Sequence, residues 1–503
     1  MSGWSPQLPE QPSAGPQRTL TGIPGLDVVT GGGLPRGRAT IVAGTSGSGK
    51  TVLGLQFLWA GARSLGEPAV LVTFEERPQD LFANVAAFGW DMGALLREGR
   101  LAVVDATPED DVAVAGAFDF GGLLARIEHA LRTTGAQRVL IDAMDAVFGQ
   151  FSDATTVRRE LGKVLRRLRE LDVTTLITAE RIEEYGSVAR RDVEEFVSDN
   201  VIILRNALEH KQRRRTVEVL KLRGVNHNKG EYAFVIAPAR GIQVVPLSAI
   251  ESDRPASTER ISFGNPELDK MCGGGMYRDS LVLVSGATGT GKSQTAAAFL
   301  SAGLAAGERA ILFSFEENPA QIVRNARSCG NDLLAPLEDG RLLIRSRFPE
   351  RMGLEDLLVA IQADIEGHDP QRVVIDSLTA VENSTSPDAF RDLVIGIAAF
   401  LKARGVAALI ITTPPDLMGA DSVSGVEMST MTDGIVLLRY VELDGELRRA
   451  IMVLKMRGTA HDRSLHEFEI TSEGVHVLKP LRGVSGVLGG TARLDAGARA
   501  PGR

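Results

Sequence analysis

Short runs of apolar residues alternate with longer, helix-length stretches along most of the chain. The run "ATIVAG" (39–44) is followed by "TVLGLQFLWAGARSLG" (51–66) and then by the run within "AVLVTFEE" (69–76). Apolar runs without polar alternation are typical of strands buried on both faces, as in parallel sheets covered by helices. The pattern therefore predicts an α/β protein in which each domain has three layers around a mainly parallel central sheet.

The same order of segments occurs twice. The segment "GGGLPRGRATIVAGTSGSGKT" (31–51) returns as "GGGMYRDSLVLVSGATGTGKS" (273–293), and "VTFEERP" (72–78) returns as "FSFEENP" (313–319). Later in each copy, "VLKLRG", which ends at Gly224, returns as "VLKMRG", which ends at Gly458. Because the order is kept throughout, the sequence indicates a tandem duplication with small insertions and deletions.

The repeats define the expected domain boundaries. We expect a first domain at 18–248 and a second at 261–481, joined by a linker at 249–260 where Pro and polar residues interrupt the pattern. Residues 1–17 and 482–503 are rich in Pro, Gly, Ala and Arg and lack periodicity. We interpret both as disordered, flexible tails.

Both copies carry a glycine-rich motif between an apolar run and a predicted helix. The segments "GTSGSGKT" (44–51) and "GATGTGKS" (286–293) fit the P-loop pattern. In such a loop, backbone N–H groups and the helix N-terminus surround phosphate, the lysine reaches the β- and γ-phosphates, and the last hydroxyl binds Mg²⁺. The predicted ATP-binding residues are Gly47, Ser48, Gly49, Lys50, Thr51, Gly289, Thr290, Gly291, Lys292 and Ser293, with Thr51 and Ser293 as Mg²⁺ ligands.

Acidic residues end two further strands of each copy. An aspartate closes the runs "RVLID" (138–142) and "RVVID" (372–376), as a Walker B acid does, and a Glu pair ends the strand after each P-loop helix. A carboxylate at this edge can orient or deprotonate a nucleophile that attacks the γ-phosphate. Without the P-loops, a solvated strand end would be the better explanation of each Glu pair. The predicted catalytic residues are Glu75, Glu76, Asp142, Glu316, Glu317 and Asp376.

A lysine and an arginine, two positions apart, end a late strand of each copy in "KLRG" (221–224) and "KMRG" (455–458). Side chains two positions apart on a strand point to the same face. These cations can act on the nucleotide of the same subunit or on that of a neighbour, as an arginine finger does. On the pattern alone, surface charge is an equally good explanation.

Composition narrows the class of protein. The net charge of -8 argues against nucleic acid as a partner, although "KQRRRT" (211–216) is a local basic run. The only cysteines, Cys272 and Cys329, exclude a disulfide framework and a Cys-x-x-Cys metal site. No apolar run approaches the roughly 20 residues that span a bilayer, and the N-terminus lacks a signal pattern. We therefore expect a cytoplasmic protein that does not enter a membrane.

With these motifs duplicated in one order, the sequence resembles the KaiC family, the double-domain RecA-like ATPases of the cyanobacterial circadian clock. The resemblance runs from about residue 18 to 478 and includes "RIEEYGSVARRDVEEFVSDNVIILRN" (181–206), "DKMCGGG" (269–275) and "VELDGELRRAIMVLKMRG" (441–458). It implies two tandem RecA-like P-loop NTPase domains that assemble as a homohexamer of stacked rings with ATP between subunits. The first ring would be a slow ATPase and the second a Ser/Thr autokinase and autophosphatase, together a circadian-type timer or signalling switch.

The resemblance also assigns roles to residues. Glu75 and Glu76 match the ATPase acids of the first ring, whereas Glu316 and Glu317 match the kinase acids of the second, with Glu316 also near Mg²⁺. Arg215 corresponds through the repeat to Arg449. The residues that the resemblance implies at the neighbouring subunit's nucleotide are Lys221, Leu222, Arg223, His227, Arg449, Lys455, Met456 and Arg457.

A hydroxyl pair distinguishes the second copy. Members of the family are phosphorylated on a Ser-Thr dipeptide ahead of the strand that begins T-D-x-I/V, and Ser429 and Thr430 lie there. The matching positions of the first copy, 234 residues earlier, are Glu195 and Phe196. The resemblance therefore implies phosphoacceptors in the second copy alone.

Partners and alternatives complete the interpretation. The resemblance implies a KaiB-like partner at the first ring, but residues 482–503 do not match the family's C-terminal tail, where the activator KaiA docks. Cys329 and Ala460 replace aromatic residues of the family pattern, so adenine stacking would be built differently. The alternatives are a RecA-like DNA-dependent ATPase or recombination factor, and a scaffold in which ATP only holds the ring together.

Overall fold

The computed structural model describes residues 16–107, 120–143, 154–186, 198–209, 212–245, 255–349, 352–413, 431–443, 445–481, 484–485 and 493–494. The chain divides into two compact units, Met1–Ala249 and Ile250–Arg503. Residues 249–254 of the predicted linker, and most residues of both predicted tails, lie outside the described part. Each unit is described by itself below.

The first unit alternates strands and helices, as the apolar runs predict. Its strands β1 to β11 are Arg18–Thr19, Leu34–Pro35, Ala39–Gly44, Ala69–Thr73, Leu101–Asp105, Arg138–Asp142, Thr174–Glu180, Asn200–Glu209, Gln212–Leu222, Glu231–Ala237 and Gly241–Val244. Its helices α1 to α6 are Leu26–Val29, Lys50–Ala60, Pro78–Ala86, Met92–Arg97, Phe120–Thr134 and Ala154–Glu170, and a π-helical turn, Gly61–Leu65, continues α2.

The second unit repeats this order. Its strands β12 to β24 are Arg260–Ile261, Met276–Tyr277, Leu281–Gly286, Ala310–Ser314, Leu342–Ser346, Arg372–Asp376, Ala407–Thr412, Gly434–Leu443, Glu446–Met456, His466–Thr471, Gly474–Pro480, Val484–Ser485 and Arg493–Leu494. Its helices α7 to α13 are Pro266–Met271, Lys292–Ala305, Pro319–Arg327, Leu334–Glu338, Leu354–His368, Leu378–Glu382 and Pro387–Arg404.

Each unit forms a nine-stranded mixed sheet from its described residues. In the first unit the strand order is β11-β10-β9-β8-β3-β7-β6-β4-β5, and the strands from β8 to β5 all run parallel. The second sheet has the equivalent order β16-β15-β17-β18-β14-β19-β20-β21-β22. In both sheets the last three strands are antiparallel additions beside the parallel core.

Both faces of the parallel strands are buried, which is why their apolar runs are uninterrupted. On β3, Ile41 packs into one hydrophobic cluster and its neighbour Val42 into the cluster on the opposite face. Val139 and Leu140 on β6 divide in the same way. The prediction of a three-layer α/β fold with a mainly parallel sheet is therefore confirmed.

A buried arginine ties the entry of each unit to its sheet. Arg138, at the start of β6, donates hydrogen bonds to the carbonyls of Leu20 (2.7 Å) and Phe57 (3.0 Å) and pairs with Glu67 (2.6 Å). Its guanidinium also lies 4.3 Å from the centre of the Phe57 ring. A fully buried cation is tolerated only when it is paired and hydrogen-bonded, and these contacts meet that need.

The second unit keeps the same arrangement. Arg372, at the start of β17, donates to the carbonyls of Ser262 (2.7 Å) and Phe299 (2.8 Å) and pairs with Glu308. Gly303 must lack a side chain here, since a Cβ atom would lie 2.2 Å from Arg372 Nε. The repeated arginine therefore fixes α8 against the sheet and so positions the loop that precedes the helix.

Candidate functional site

The first P-loop lies between β3 and α2, at the carboxyl edge of the parallel strands. Gly47 and Gly49 have φ values of 74° and 99°, which favour glycine, and Gly49 directly precedes α2. Lys50 Nζ donates to the carbonyls of Gly44 and Thr45, both at 2.9 Å. The lysine ammonium is therefore held against the start of the loop, at the N-terminus of α2, where a helix favours a bound phosphate.

The second P-loop, between β14 and α8, has the same shape. Gly289 and Gly291 have φ values of 81° and 108°, and a Cβ on Gly291 would lie 2.7 Å from Ile470 Cδ1. Lys292 Nζ donates to the carbonyl of Ala287 at 3.0 Å. Burial lowers the pKa of Lys292, because the charged ammonium loses solvation. The negative charge of a bound phosphate would offset that loss.

In the first unit, the Walker-type aspartate contacts two hydroxyl groups. Asp142 is buried, and its Oδ1 accepts hydrogen bonds from Thr51 (3.3 Å) and from Thr178 on β7. Burial raises the pKa of Asp142, while the two hydroxyl donors act in the opposite direction. Thr51, predicted as a metal ligand, thus lies directly beside the predicted Walker B acid.

The second carboxylate of the first Glu pair is held by an amide. Asn84 Nδ2, on α3, donates to Glu76 Oε2 at 3.3 Å. Desolvation raises the pKa of Glu76, and the nearby charges of Asp142 and Glu75 add to the effect. A carboxylate with a raised pKa is a better proton acceptor near neutral pH, which suits the predicted role as a base.

In the second unit the acids lie around one cavity of about 420 Å³, which the P-loop also lines. Ser293 Oγ donates to Asp376 Oδ2 at 2.7 Å. Asp376 keeps partial solvent access, but desolvation raises its pKa to about 6, helped by the charges of Glu316 and Glu317. The predicted metal ligands and acids of this copy therefore share one space.

Two donors orient the second Glu pair. Ser377 Oγ donates to Glu316 Oε1 at 2.9 Å, and Asn325 Nδ2 lies 3.3 Å from Glu317 Oε1. Asn325 is presented by α9, which begins with a capping box between Asn318 and Gln321. The helix that begins just after the Glu pair therefore brings the side-chain amide of Asn325 back to Glu317.

The two acid sites differ in where a hydroxyl is placed. The second unit has Ser377 after its aspartate, whereas the first has Ala143. Sheet register pairs Ile141 with Ile177 and Ile375 with Ile410, so Thr178 corresponds to Ile411. The P-loop hydroxyl contacts the aspartate in both units, but the first unit directs a second hydroxyl to that aspartate and the second unit directs one to the first glutamate.

Sequence reasoning did not single out Asn84, Asn325, Ser377 or Thr178. A signal existed for the asparagines, because each lies eight residues after the second glutamate of its pair, and the repeat aligns them. Polar residues on helices are usually solvated, so the spacing alone does not reveal the contact.

The predicted Lys-x-Arg pairs lie at the opposite edge of each sheet. In the second unit, Arg457 Nη1 is 3.7 Å from Asp433 Oδ1, and Asp433 Oδ2 accepts from the backbone N–H of Leu281, the first residue of β14. The P-loop follows Gly286 at the other end of that strand, about 16 Å away at about 3.3 Å per residue. These cations therefore do not reach the P-loop of their own chain.

The other residues that were predicted to contact a neighbour's nucleotide do not all lie at the same edge of the sheet. Leu222 and Met456 are buried strand ends beside their Lys-x-Arg pairs. His227 Nδ1 has no hydrogen-bond partner among the described residues. His227 comes four residues after Arg223 in the sequence, beyond the end of β9.

Arg449 differs from the Lys-x-Arg pair of its own strand. Arg449 Nε donates to the carbonyl of Gly289 at 3.1 Å, so it lies beside the P-loop of its own chain. Arg215 pairs in register with Asn206, whose side chain is 3.4 Å from the Gly47 carbonyl. The structure thus places both arginines next to their own P-loops, and the contact with a neighbour's nucleotide stays a prediction.

The predicted phosphoacceptors Ser429 and Thr430 lie outside the described residues. Among the described residues, no helix is long and apolar enough to cross a bilayer.

The family of the chain follows from its comparison with known proteins. A family model described as "ATPase: KaiC" matches twice, over residues 19–249 and again over 261–482. The chain belongs to the KaiC family. Membership in this ATPase family implies the use of ATP, and it does not favour the alternative of a DNA-dependent recombination factor.

Relatives from this family match nearly the whole chain. The circadian clock protein KaiC3 of Synechocystis sp. is 47% identical over 489 residues, which cover 97% of this chain and 97% of the relative. The circadian clock oscillator protein KaiC of Thermostichus vulcanus is 47% identical, covering 96% of this chain and 93% of the relative. That of Prochlorococcus marinus is 49% identical, covering 92% of each.

The KaiC-type sites fit Mg²⁺ as well as ATP. Ser293, Asp376 and Glu316 offer the hydroxyl and carboxylate oxygens that this hard cation prefers. No group of three or more His, Cys, Asp or Glu side chains in the described part of the chain could hold a metal alone. A Mg²⁺ ion that relies partly on substrate phosphates for its ligands is consistent with that arrangement.

Proposed function

We propose that this KaiC-family protein is a homohexameric ATPase whose first unit transfers the γ-phosphoryl group of ATP to water and whose second unit transfers it to Ser429 or Thr430. The second unit would also remove that phosphate, and the cycle would serve as a circadian-type timer or signalling switch. The main support is that each unit groups its P-loop lysine, hydroxyl, aspartate and Glu pair at one sheet edge and its Lys-x-Arg pair at the other.

The separation of the two edges supports a shared site. A cation about 16 Å from its own P-loop can act only on the nucleotide of another copy. In a ring, each subunit would then supply a P-loop to one interface and a Lys-x-Arg pair to the other. This is the geometric argument for assembly into a closed homo-oligomer rather than for a self-sufficient monomer.

In the first unit, Glu76 would orient a water molecule and accept its proton as the oxygen attacks the γ-phosphorus. Lys50 would stabilise the charge on the phosphate oxygens. Thr51 and Asp142 would hold Mg²⁺, which neutralises phosphate charge when bound. The raised pKa of Glu76 supports its role as the proton acceptor.

In the second unit, the attacking oxygen would come from Ser429 or Thr430. Glu317 would accept the hydroxyl proton as the new P–O bond forms and the bond to ADP breaks. Glu316, Ser293 and Asp376 would hold the metal, with Ser377 fixing Glu316 and Asn325 fixing Glu317. Two relatives named as circadian clock oscillator proteins support the timing role, and a KaiB-like protein is the proposed partner of the first unit.

The test is incubation of the purified protein with γ-labelled ATP and Mg²⁺, with released phosphate and protein-bound label measured together. We expect Glu76→Gln to abolish most phosphate release but keep the label, and Glu317→Gln to do the reverse. The double variant Ser429→Ala/Thr430→Ala should lose the label. Phosphate release without any label on the protein would refute the kinase activity, and undiminished release from Glu76→Gln would refute its assignment.

A mixing experiment tests the shared site. Lys292→Ala keeps the acceptors but lacks the P-loop lysine, and Ser429→Ala/Thr430→Ala keeps the P-loop but lacks the acceptors. Neither variant alone should become labelled. After the two are dissociated and reassembled together, label on the Lys292→Ala chains is expected, whereas its absence would rule out transfer between subunits.

A further inference from the structure

The two residues before β19 contact both members of the second Lys-x-Arg pair. Lys455 Nζ donates to the carbonyl of Thr432 at 2.7 Å, and Arg457 Nη1 lies 3.7 Å from Asp433 Oδ1. The backbone N–H of Arg457 also donates to the Asp433 carbonyl at 2.7 Å. The pair is therefore docked on one short segment of its own chain.

The first unit repeats both side-chain contacts, although the backbone N–H of Arg223 donates to Asn200 Oδ1 at 3.2 Å instead of to the carbonyl of the aspartate. Lys221 Nζ donates to the carbonyl of Ser198 at 3.0 Å, and Arg223 Nη1 lies 3.7 Å from Asp199 Oδ1. Ser198 and Asp199 precede Thr432 and Asp433 by 234 residues, as Lys221 and Arg223 precede Lys455 and Arg457. The two units differ at many other positions, so a shared geometry here indicates a shared requirement.

Asp433 is itself firmly held. Its Oδ2 accepts from the backbone N–H of Leu281 at 3.0 Å, its own N–H donates to the Leu281 carbonyl at 2.8 Å, and Lys402 Nζ contacts Oδ1 at 2.9 Å. The aspartate side chain is only 19% exposed. It can therefore act as a fixed anchor for a longer, more mobile side chain.

Asp199 has an equivalent set of cations. Arg169, at the end of α6, lies 3.7 Å from its Oδ2, as Lys402 near the end of α13 contacts Asp433. Arg38, just before β3, lies 3.9 Å from Asp199 Oδ1. Each aspartate thus faces one cation from a helix, α6 or α13, and one from the Lys-x-Arg pair, and Asp199 also faces Arg38.

The arginine of each pair can serve two acceptors at once. A planar guanidinium carries five N–H groups, so one edge can face a carboxylate while another edge faces a second acceptor such as a phosphate. The side chains of Arg223 and Arg457 are 58% and 52% exposed, whereas their aspartates are mostly buried. The geometry fixes the direction of the guanidinium and leaves part of it at the surface of the chain.

We propose that Asp199 and Asp433 are positioning residues that aim Arg223 and Arg457 at the phosphates of ATP held by the neighbouring subunit. This inference rests on the proposed function, because it assumes that the arginines act across a subunit interface. Neither aspartate would touch the substrate itself. Each would instead hold its arginine in the orientation that reaches the neighbour's phosphates. Loss of the carboxylate would leave the cation present but poorly oriented, which lowers the rate more than the binding of ATP.

The test uses Asp433→Asn in a Glu76→Gln background, so that turnover comes from the second unit. Asparagine keeps the oxygen that accepts from Leu281 but removes the charge. We expect the rate of label incorporation at saturating ATP to fall between about 10-fold and 10²-fold, with the half-saturating ATP concentration changed by less than about 3-fold. Asp433→Glu should recover part of the rate. The matched control is Asp339→Asn, which likewise turns the carboxylate of an arginine's partner into an amide, but in the exposed pair with Arg341, and should keep the rate.

A double-mutant cycle separates orientation from a structural role. If Asp433 acts through Arg457, Asp433→Asn should have no further effect in Arg457→Ala, followed over long incubations. An equal fold-loss in both backgrounds, or a full rate in Asp433→Asn alone, would overturn the inference. If Arg457→Ala keeps the full rate of label incorporation, the role of Arg457 in the proposed function is refuted instead. If Asp433→Asn unfolds, the same cycle with Asp199 and Arg223, in a Glu317→Gln background with phosphate release as the readout, gives the answer.

Discussion

Replacing Asp376 with asparagine is expected to stabilise the protein in the absence of nucleotide and Mg²⁺ at neutral pH. The surroundings raise the pKa of Asp376 to about 6 from its ordinary value of 3.8, mainly through desolvation and then through Glu316 and Glu317. The folded state therefore binds the proton more tightly than the unfolded state. This contribution to stability is complete below pH 3.8 and is lost as the pH rises through 6, where the carboxylate must ionise.

The magnitude follows from that shift. At about 1.4 kcal/mol per pKa unit, ionising Asp376 in the folded state costs about 3 kcal/mol above pH 7. At pH 5 the same relation gives about half of that value. Asparagine is neutral at every pH, so the variant should exceed the parent protein in free energy of unfolding by these amounts, with about 3 kcal/mol as the largest gain.

Urea unfolding at fixed protein concentration, at pH 5 and pH 7.5 in EDTA, measures the effect. Trp59 and Trp90 lie in the first unit, and residues 250–503 contain no tryptophan. Tryptophan fluorescence therefore reports the first unit and should not change, whereas far-UV circular dichroism also follows the second. The exposed Glu338, changed to Gln, is the control and should alter the unfolding free energy by less than about 0.5 kcal/mol. If the variant gains no free energy of unfolding at pH 7.5, or gains the same amount at both pH values, the surroundings do not raise the pKa of Asp376.

Three further predictions concern the frame around the sites. Glu308→Ala should lower the free energy of unfolding by about 3–5 kcal/mol in urea titrations, because it leaves Arg372 buried without its carboxylate. Gly303→Ala should cost about 1–3 kcal/mol by the same measurement, since the new methyl group meets Arg372, although alanine is otherwise the better helix former. Asn325→Ala should slow protein labelling from γ-labelled ATP by about 10-fold or more, because Glu317 loses its amide donor, while an unchanged rate would exclude a role in orientation.

The sequence predicted much of the fold because its strongest signals are local. Uninterrupted apolar runs such as "ATIVAG" and the two P-loops required buried parallel strands followed by helices, and β3 and α2 are found there. The sequence predicted a late strand before each Lys-x-Arg pair, but not the antiparallel direction of β9 to β11 and of β20 to β22. Strand direction and order depend on pairing between distant segments, and the composition of a strand does not encode its neighbour.

The candidate site was predictable as a set of residue types but not as a geometry. The repeat drew attention to Asp142, Asp376 and the Glu pairs, and the structure brings each aspartate close to its P-loop hydroxyl. The repeat aligns Asn325 with Asn84, but no pattern in the sequence showed that Asn325 or Ser377 contacts a glutamate, because those contacts depend on where a strand end and a helix face meet. The sequence pattern also did not show that Lys455 and Arg457 lie at the sheet edge opposite the P-loop, because that position depends on the antiparallel direction of β20.

The P-loop hydroxyl contacts the aspartate in both units, and the clearest chemical difference between them is which acid receives a further hydroxyl. Thr178 stabilises the ionised form of Asp142, and Ile411 offers Asp376 nothing equivalent. Ser377 instead donates to Glu316, where the first unit has only Ala143. Because a hydrogen bond to a carboxylate favours its charged form, each unit stabilises negative charge at a different oxygen around a similar P-loop. A duplicated site can therefore diverge by exchanging one hydroxyl between neighbouring strands, without any change in the loop, the lysine or the aspartate that define it.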